Sequence, residues 1–324
     1  MELYRKIWYS LTFTISALVV SACSQEEWPV LEPVDTEEFA AEHSEWRQNR
    51  REGLVRPFSG VVLWMGLWNL DQGATPFGSD PELPITLPEV DSPPLAGILH
   101  RSGQDITIEP VPNSRISFRE GALIESTTAL NNDRSGNTTN LSLGSLGMRI
   151  HGEPGTDRLW LRVWDEDSPK RESFQLPETF PVDTAWRIRA RFEPFKEPRG
   201  LPVADVRDGM LEYQAPGELV FQVNGETQRL TAVADANSTS FHVMLWDPTA
   251  LEETYQLVRY LSVPFPEDDG WTTKKKGWTV MDFNRTRNPP CVFSAFSVCA
   301  LPPSENRLEV PITAGEKRPA EAAS

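Results

Sequence analysis

The sequence predicts a mainly β protein, with antiparallel sandwich or barrel-like sheets, an N-terminal helix and irregular Pro-rich C-terminal loops. Apolar and polar residues alternate in short segments, as after Trp186, where Ile188 and Ala190 alternate with arginines. Turn signals separate these segments, and Asn224-Gly225 is a strong one because both residues tolerate positive φ. No long amphipathic helices alternate with the predicted strands, which argues against a doubly wound α/β fold.

One helix is predicted before the strands. Asp35 can cap it, Glu38 follows as in a capping box, and Gly53 marks its end. The residues at helical spacing are Phe39, His43, Trp46 and Arg50. Phe39 and Trp46 would pack on the body, and the arginines predicted to face outward are Arg47, Arg50 and Arg51.

The remaining strands follow from short apolar segments. A buried strand is predicted over Val61–Trp64, and further strands around residues 106–108, 116–118, 159–164, 186–192 and 241–245. Residues 203–234 predict a meander with a turn at Ala215-Pro216-Gly217. Residues 131–140, rich in Asn, Ser and Thr, predict a surface loop.

Composition excludes several classes of function. The 324 residues carry a formal charge of −16, which argues against general nucleic-acid binding. Three cysteines and four histidines are too few for a disulfide scaffold or a zinc cluster. We therefore predict neither a cofactor nor a metal site.

The first residues are typical of an export signal. Arg5 and Lys6 precede an apolar segment that is shorter than the roughly 20 residues of a membrane-spanning helix. Val20-Ser21-Ala22-Cys23 then resembles the bacterial lipoprotein signal, which implies that Cys23 carries the lipid. The alternative is an ordinary signal peptide, or a short membrane anchor with an incidental cysteine.

This interpretation sets the domain organisation. Residues 1–22 are the lipoprotein signal peptide, 23–35 an acidic, Pro-containing tether, 36–316 the mainly β domain and 317–324 a frayed tail. Two or more acyl chains give stable anchoring, so the membrane is the predicted partner. In the lipoprotein family that the signal resembles, an acid directly after the lipidated residue marks inner-membrane retention. The resemblance therefore implies that Ser24 favours the outer membrane, with the body facing the periplasm.

The other two cysteines, Cys291 and Cys299, are predicted to form a disulfide, because export exposes them to an oxidising compartment. Two free thiols are the alternative. The closed loop is short, so the chain-entropy contribution is roughly 2.5 kcal/mol.

Polar side chains concentrate in the C-terminal third. The candidate site residues are Asp247, Thr249, Tyr255, Arg259, Asp282, Asn284, Asn288 and Glu316. Stiff loops could present them as a preorganised site. They could equally hold irregular loops together, with Asp247 and Asp282 capping turns and Arg259 pairing with one of them.

Several motifs here resemble domain-of-unknown-function family 1684. They are Glu253-Thr254-Tyr255, Arg259-Tyr260-Leu261, Asp282-Phe283-Asn284-Arg285, Asn288-Pro289-Pro290-Cys291, Leu301-Pro302-Pro303, Glu305-Asn306-Arg307-Leu308 and Ala314-Gly315-Glu316-Lys317. Weaker likeness extends back to the helix that contains Trp46. The resemblance implies an exported or lipid-anchored protein, and it carries over no catalytic or binding residue.

Two functions remain open at this point. The first is a lipid-anchored cell-envelope protein that acts as a binding or structural module. The second is a hydrolase of small or glycan substrates, in which Asp247 and Asp282 divide acid and base roles while Tyr255 and Arg259 orient the substrate.

Overall fold

A computed structural model of the chain describes residues 28–89, 91–153, 155–267 and 272–319. The residues from Leu31 onward form one unit. The predicted signal peptide, Cys23 and the end of the tail lie outside the described residues. Within them, no helix is long and apolar enough to cross a membrane.

The predicted N-terminal helix is confirmed as α1, Thr36–Leu54. The side chain of Asp35 accepts hydrogen bonds from the backbone N–H groups of Glu37 and Glu38, both at 2.9 Å. These bonds satisfy two of the donors that a helix N-terminus leaves without a partner. A second, four-residue helix, α2, spans Lys170–Ser173.

Ten strands make up the N-terminal lobe, defined here as residues 64–165. They are β1 Trp64–Asn69, β2 Gly73–Gly78, β3 Ile85–Thr86, β4 Gly97–Ser102, β5 Asp105–Pro110, β6 Ser117–Phe118, β7 Thr128–Leu130, β8 Asn140–Leu143, β9 Leu146–Gly152 and β10 Leu159–Asp165. They form two five-stranded sheets, ordered β1-β10-β9-β8-β6 and β3-β2-β4-β5-β7. Side chains from both sheets, such as Phe77 and Met148, share one core, so this lobe is a sandwich.

Six further strands make up the C-terminal lobe, defined here as residues 187–317. They are β11 Arg187–Ala204, β12 Met210–Val223, β13 Glu226–Ala232, β14 Ser240–Leu245, β15 Arg259–Pro264 and β16 Gly277–Asp282. A four-stranded sheet, β13-β12-β11-β16, packs against the β14-β15 hairpin. Phe192 and Phe241 stack between them, with ring centroids 4.5 Å apart.

The predicted mainly β class and the Asn224-Gly225 turn are confirmed. The two turn residues have φ values of 53° and 81° and join β12 to β13. Positive φ at both positions gives a two-residue hairpin turn the twist that its strands require.

Two local predictions are wrong. Val61–Leu63 form a 3₁₀ turn, and the strand begins only at Trp64. Ala215-Pro216-Gly217 do not turn, because they continue β12 opposite a register shift in β11 between Pro194 and Arg199. An irregularity in the neighbouring strand lets Pro216 stay in the sheet without breaking it.

Two further predictions concerned exposure. The arginines of α1 do not all face solvent: Arg50 reaches Glu316, and Arg47 donates to the carbonyl oxygen of Pro177 at 2.9 Å. At the predicted frayed tail, the backbone N–H groups of Lys317 and Arg318 still donate to carbonyl oxygens of the body.

Candidate functional site

A groove of about 950 Å³ lies where α1 meets the C-terminal lobe. Helix α1 contributes Phe39, Glu42 and Trp46 to its lining. The strands and the segments after them contribute basic, aromatic and hydroxyl side chains, among them Arg187, Arg189, Ser240, Ser262, Phe265, Trp278, Asp282, Arg285 and Arg287. Residues 31 and 32 of the predicted tether also line it.

The alternation of β11 places two of the groove arginines. Ile188, Ala190 and Phe192 pack on the core, so Arg187 and Arg189 project from the opposite face. Asp282 and Val280 of β16 lie opposite these two arginines in the antiparallel register. Cross-strand partners share a face, so the outer face of this sheet edge forms part of the groove.

Arg287 belongs to the segment after β16 and pairs by a backbone bridge with Tyr260 of β15. Its guanidinium donates to the hydroxyl oxygen of Ser262 at 3.0 Å. Burial, with the nearby charge of Arg50, lowers the pKa of Arg287 to about 10, while Glu316 acts in the opposite direction. Beside Ser262 in the register lies His242, whose pKa burial and Arg287 lower to about 4.

Asp282 is the one predicted site residue that lines the groove. Its Oδ1 accepts from the backbone N–H of Asn284 at 3.1 Å and from the Asn284 amide at 2.9 Å. Its Oδ2 lies 3.2 Å from Nε of Arg285, which is also 3.9 Å, through Nη2, from Glu42. Asp282 is thus already occupied as a turn cap and as a partner of Arg285.

Three other predicted residues form a buried network with no opening to the groove. Asp247 accepts from Arg259 at 2.7 Å and from the hydroxyl of Thr249 at 2.6 Å. Arg259 also donates to the carbonyl oxygens of Ile312 and Ala314. Burial lowers the pKa of Arg259, and Asp247 counteracts this by favouring the charged form. The network therefore fastens the C-terminal segment to β15.

A second network joins Asn288 and Glu316 to the N-terminal helix. Glu316 accepts from the backbone N–H of Asn288 and from Nη2 of Arg50, both at 2.8 Å. Arg50 also donates to the carbonyl oxygen of Asn288 at 3.0 Å, and the Asn288 amide donates to the carbonyl oxygen of Lys317 at 2.8 Å. This network holds α1 against the C-terminal segment.

Asn284 lies in a third network, beneath the end of β16. Its side-chain amide exchanges two hydrogen bonds with the backbone of Asp183. The backbone carbonyl oxygen of Asn284 lies 2.9 Å from Nε2 of His43. Because a carbonyl oxygen only accepts, Nε2 of His43 carries the proton. Burial lowers the pKa of His43, so the neutral ring is favoured.

Tyr255 lies apart from all three networks, beside the two cysteines. Cys291 and Cys299 are free thiols in the structure, not the predicted disulfide. The backbone N–H of Cys291 donates to the sulfur of Cys299 at 3.0 Å, and a hydrogen bond between the thiols, with burial, raises the pKa of Cys291. Burial and the neighbouring Cys291 raise the pKa of Tyr255.

Comparison with known family models finds a match to the C-terminal part of the chain. Residues 172–317 match the model of a family described as "Protein of unknown function (DUF1684)". This part of the chain is similar to that family. No curated protein matches the chain.

Solved structures also match part of the chain. One of them is the solution NMR structure of an uncharacterised protein from gene locus rrnAC0354 of Haloarcula marismortui. The two are 28% identical over 46% of this chain and 80% of that chain, with a TM-score of 0.38.

The segment that matches this family model supplies most of the groove lining, and sequence reasoning missed this site. The arginines at 187 and 189 were visible only as the outer face of a half-buried strand. Nothing in the pattern showed that α1, more than a hundred residues earlier, would bring Trp46 alongside them. The polar motifs drew attention instead to residues that the structure pairs beneath loops.

Proposed function

We propose that this protein is a lipid-anchored envelope protein that binds a small ligand in the groove. The observation that carries the proposal is the contrast between filled and open polar sites. The networks around Asp247, Asn284 and Glu316 are buried and paired, whereas the groove is open and combines aromatic, hydroxyl and guanidinium groups. A concave surface with convergent polar groups is the usual form of a ligand site.

The size of the groove supports a ligand larger than an ion. Its volume of about 950 Å³ lies at the upper end of the range typical of small-molecule sites. Trp46 and Trp278 give it flat apolar surface, and the hydroxyl groups of Ser240 and Ser262 can direct a polar group.

Ligand-dependent stabilisation tests the binding role. The protein would be heated with pools of envelope metabolites, glycans and peptides, and a ligand at one hundred times its Kd should stabilise it by about 2.7 kcal/mol. Trp46→Ala should abolish the shift, whereas Trp246→Ala, a tryptophan outside the groove lining, should retain it. No shift from any pool would contradict a small-ligand role.

The anchor is proposed on the sequence alone, with Cys23 as the lipidated residue and the outer membrane as its location. Each buried methylene of an acyl chain contributes about 0.8 kcal/mol, so diacylation holds the chain on the bilayer. Mass spectrometry of protein from its native host should show a diacylated Cys23 at the new N-terminus. An intact initiator Met1 without lipid would overturn the anchor.

We also propose that Cys291 and Cys299 close to a disulfide after export. The two residues are adjacent, because the backbone N–H of Cys291 donates to the sulfur of Cys299 at 3.0 Å, and Cys299 is buried. Exchange with an oxidised dithiol oxidoreductase would remove two electrons and two protons from the pair and leave the oxidoreductase reduced. Protein isolated with thiols blocked should be two mass units lighter per chain than after reduction, and Cys291→Ser should abolish the difference.

The hydrolase hypothesis gains no support from these positions. Asp247 is fully buried and hydrogen-bonded to Arg259. Asp282 lies at the groove, is hydrogen-bonded to Asn284 and forms an ion pair with Arg285. Paired carboxylates divide acid and base roles only when both can reach the scissile bond.

A further inference from the structure

The groove has an excess of positive charge in a protein of strongly negative charge. The chain as a whole has a formal charge of −16. Four arginines line the groove as half-buried side chains, against one half-buried carboxylate, Asp282. The other lining acids, Glu32, Glu42 and Glu267, are exposed to solvent. A basic cleft in an acidic protein concentrates field lines and selects anions.

The excess is concentrated on three of the four arginines. Arg285 has Asp282 and Glu42 as partners. Among the described residues, no carboxylate forms an ion pair with Arg187, Arg189 or Arg287. Nε of Arg189 is buried without a hydrogen-bond partner in this part of the chain. Half-buried guanidinium groups without counter-ions are costly, and an oxyanion offsets that cost through charge-assisted hydrogen bonds.

Aromatic side chains lie in the same groove. Phe39, Trp46, Phe265 and Trp278 line it together with the arginines. The ring of Trp278 also lies close to a cation, with Cζ of Arg191 5.6 Å from the ring centroid. An inorganic ion would leave this apolar surface uncovered, whereas an amphipathic ligand would use both parts.

We propose that the groove binds an amphipathic ligand whose phosphate or carboxylate group is held by Arg187, Arg189 and Arg287. The apolar part of the ligand lies against Trp46 and Trp278. This assignment rests on the proposed binding function and specifies its ligand class. Such a ligand can come from a membrane lipid or from a soluble phosphorylated metabolite, because both present the same oxyanion.

Calorimetry on the full-length protein in a neutral detergent tests the assignment with four probes. Dihexanoylphosphatidic acid and naphthyl phosphate carry both parts of the proposed ligand. Glycerol 3-phosphate has the phosphate alone, and dihexanoylphosphatidylcholine has the acyl chains without net charge. We expect at least one phosphate amphiphile to bind about tenfold or more tightly than either single-feature probe.

Matched variants then localise the binding. Arg189→Gln should weaken binding of the phosphate amphiphile about tenfold or more. Arg189→Lys should weaken that binding less, because lysine keeps the positive charge but loses the bidentate hydrogen bonding of the guanidinium. Arg199→Gln is the control, since Arg199 lies on the same strand outside the groove and pairs with Glu305 on the surface. Circular dichroism confirms that each variant is folded.

The outcomes separate this proposal from the binding function. Tighter binding of dihexanoylphosphatidic acid than of naphthyl phosphate indicates a lipid source for the ligand. Tighter binding of naphthyl phosphate indicates a soluble source, and either result supports the assignment. If dihexanoylphosphatidylcholine binds as tightly as the phosphate amphiphiles, and Arg189→Gln leaves that binding unchanged, then the proposed oxyanion group is wrong. The groove would still be a ligand site in that case. Equal loss in Arg189→Gln and Arg199→Gln, or no binding of either phosphate amphiphile at millimolar concentration, overturns the assignment itself.

Discussion

The C-terminal lobe uses arginine in two opposite ways. Arg259 is fully buried and bonded to Asp247 and to two backbone carbonyl oxygens. Arg187 and Arg189 stand half-buried in the groove, with no carboxylate partner among the described residues. The difference lies in what the fold places opposite each guanidinium. A paired arginine fastens one segment to another, whereas an unpaired one in a cleft is available to a ligand.

The largest effect should come from breaking the filled network. Arg259→Ala leaves Asp247 buried without its partner and frees the carbonyl oxygens of Ile312 and Ala314. Removing one member of a buried ion pair costs about 3–5 kcal/mol, so the free energy of unfolding in urea should fall by that amount. Arg199→Ala, at an exposed pair, should cost about 1 kcal/mol or less. Similar losses in the two variants would show that Arg259 is not structural.

The next largest loss of stability should come from breaking the contact between α1 and the C-terminal segment. Arg50→Ala removes the bonds to Glu316 and to the carbonyl oxygen of Asn288, and Glu316 remains buried. Hydrogen bonds to charged groups contribute about 1.5–3 kcal/mol, so a loss of about 2–3 kcal/mol is expected in urea unfolding.

Gln48→Ala on the same helix provides the comparison for Arg50. Among the described residues, Gln48 hydrogen-bonds only to the exposed Glu52 one turn along, so its replacement should change stability little. If Gln48→Ala costs as much as Arg50→Ala, then helix propensity and not the network explains the loss.

These networks show where sequence reasoning succeeded and where it stopped. The cap at Asp35 and the turn at Asn224-Gly225 depend on neighbours in sequence, so their residue types were sufficient to predict them. The partner of Arg259 was also among the predicted possibilities. The bond from Arg50 to Glu316 joins residues 266 positions apart, and no local pattern encodes such a distance.

The groove could not be predicted from the sequence either, because it depends on contacts between distant residues. The predicted β11 pattern correctly placed arginines on an outer face. Whether that face meets solvent, a carboxylate or another element depends on tertiary packing, which binary patterning does not specify. The turn predicted at Ala215-Pro216-Gly217 failed similarly, because a register shift in the neighbouring strand accommodates Pro216.

Acid should weaken the fold through His242, which lies beside the groove. Its folded-state pKa is about 4, lowered by burial and by Arg287, against about 6.5 in the unfolded chain. The unfolded chain therefore takes up a proton first, and stability is lost as pH falls from about 6.5 towards 4. From pH 7 to pH 5 the loss attributable to this residue is about 2 kcal/mol.

Replacing His242 isolates its contribution from those of His43 and the carboxylates. Urea unfolding of His242→Asn at pH 7 and pH 5 should show a smaller loss than the wild-type protein by about 2 kcal/mol. Equal losses in the two proteins would mean that His242 does not resist protonation in the fold.

The smallest effect on stability should come from replacing a groove arginine. This variant tests most directly whether Arg189 differs from Arg259 in its role. Arg189→Gln removes a guanidinium that has no partner among the described side chains and relieves repulsion from Arg187. The urea midpoint should therefore stay within about 0.5 kcal/mol of the wild-type value, or rise. A loss above about 1 kcal/mol would mean that Arg189 supports the fold. Arg189 and Arg259 would then differ only in how much each stabilises the fold, and Arg189 could not be assigned to ligand binding on this ground.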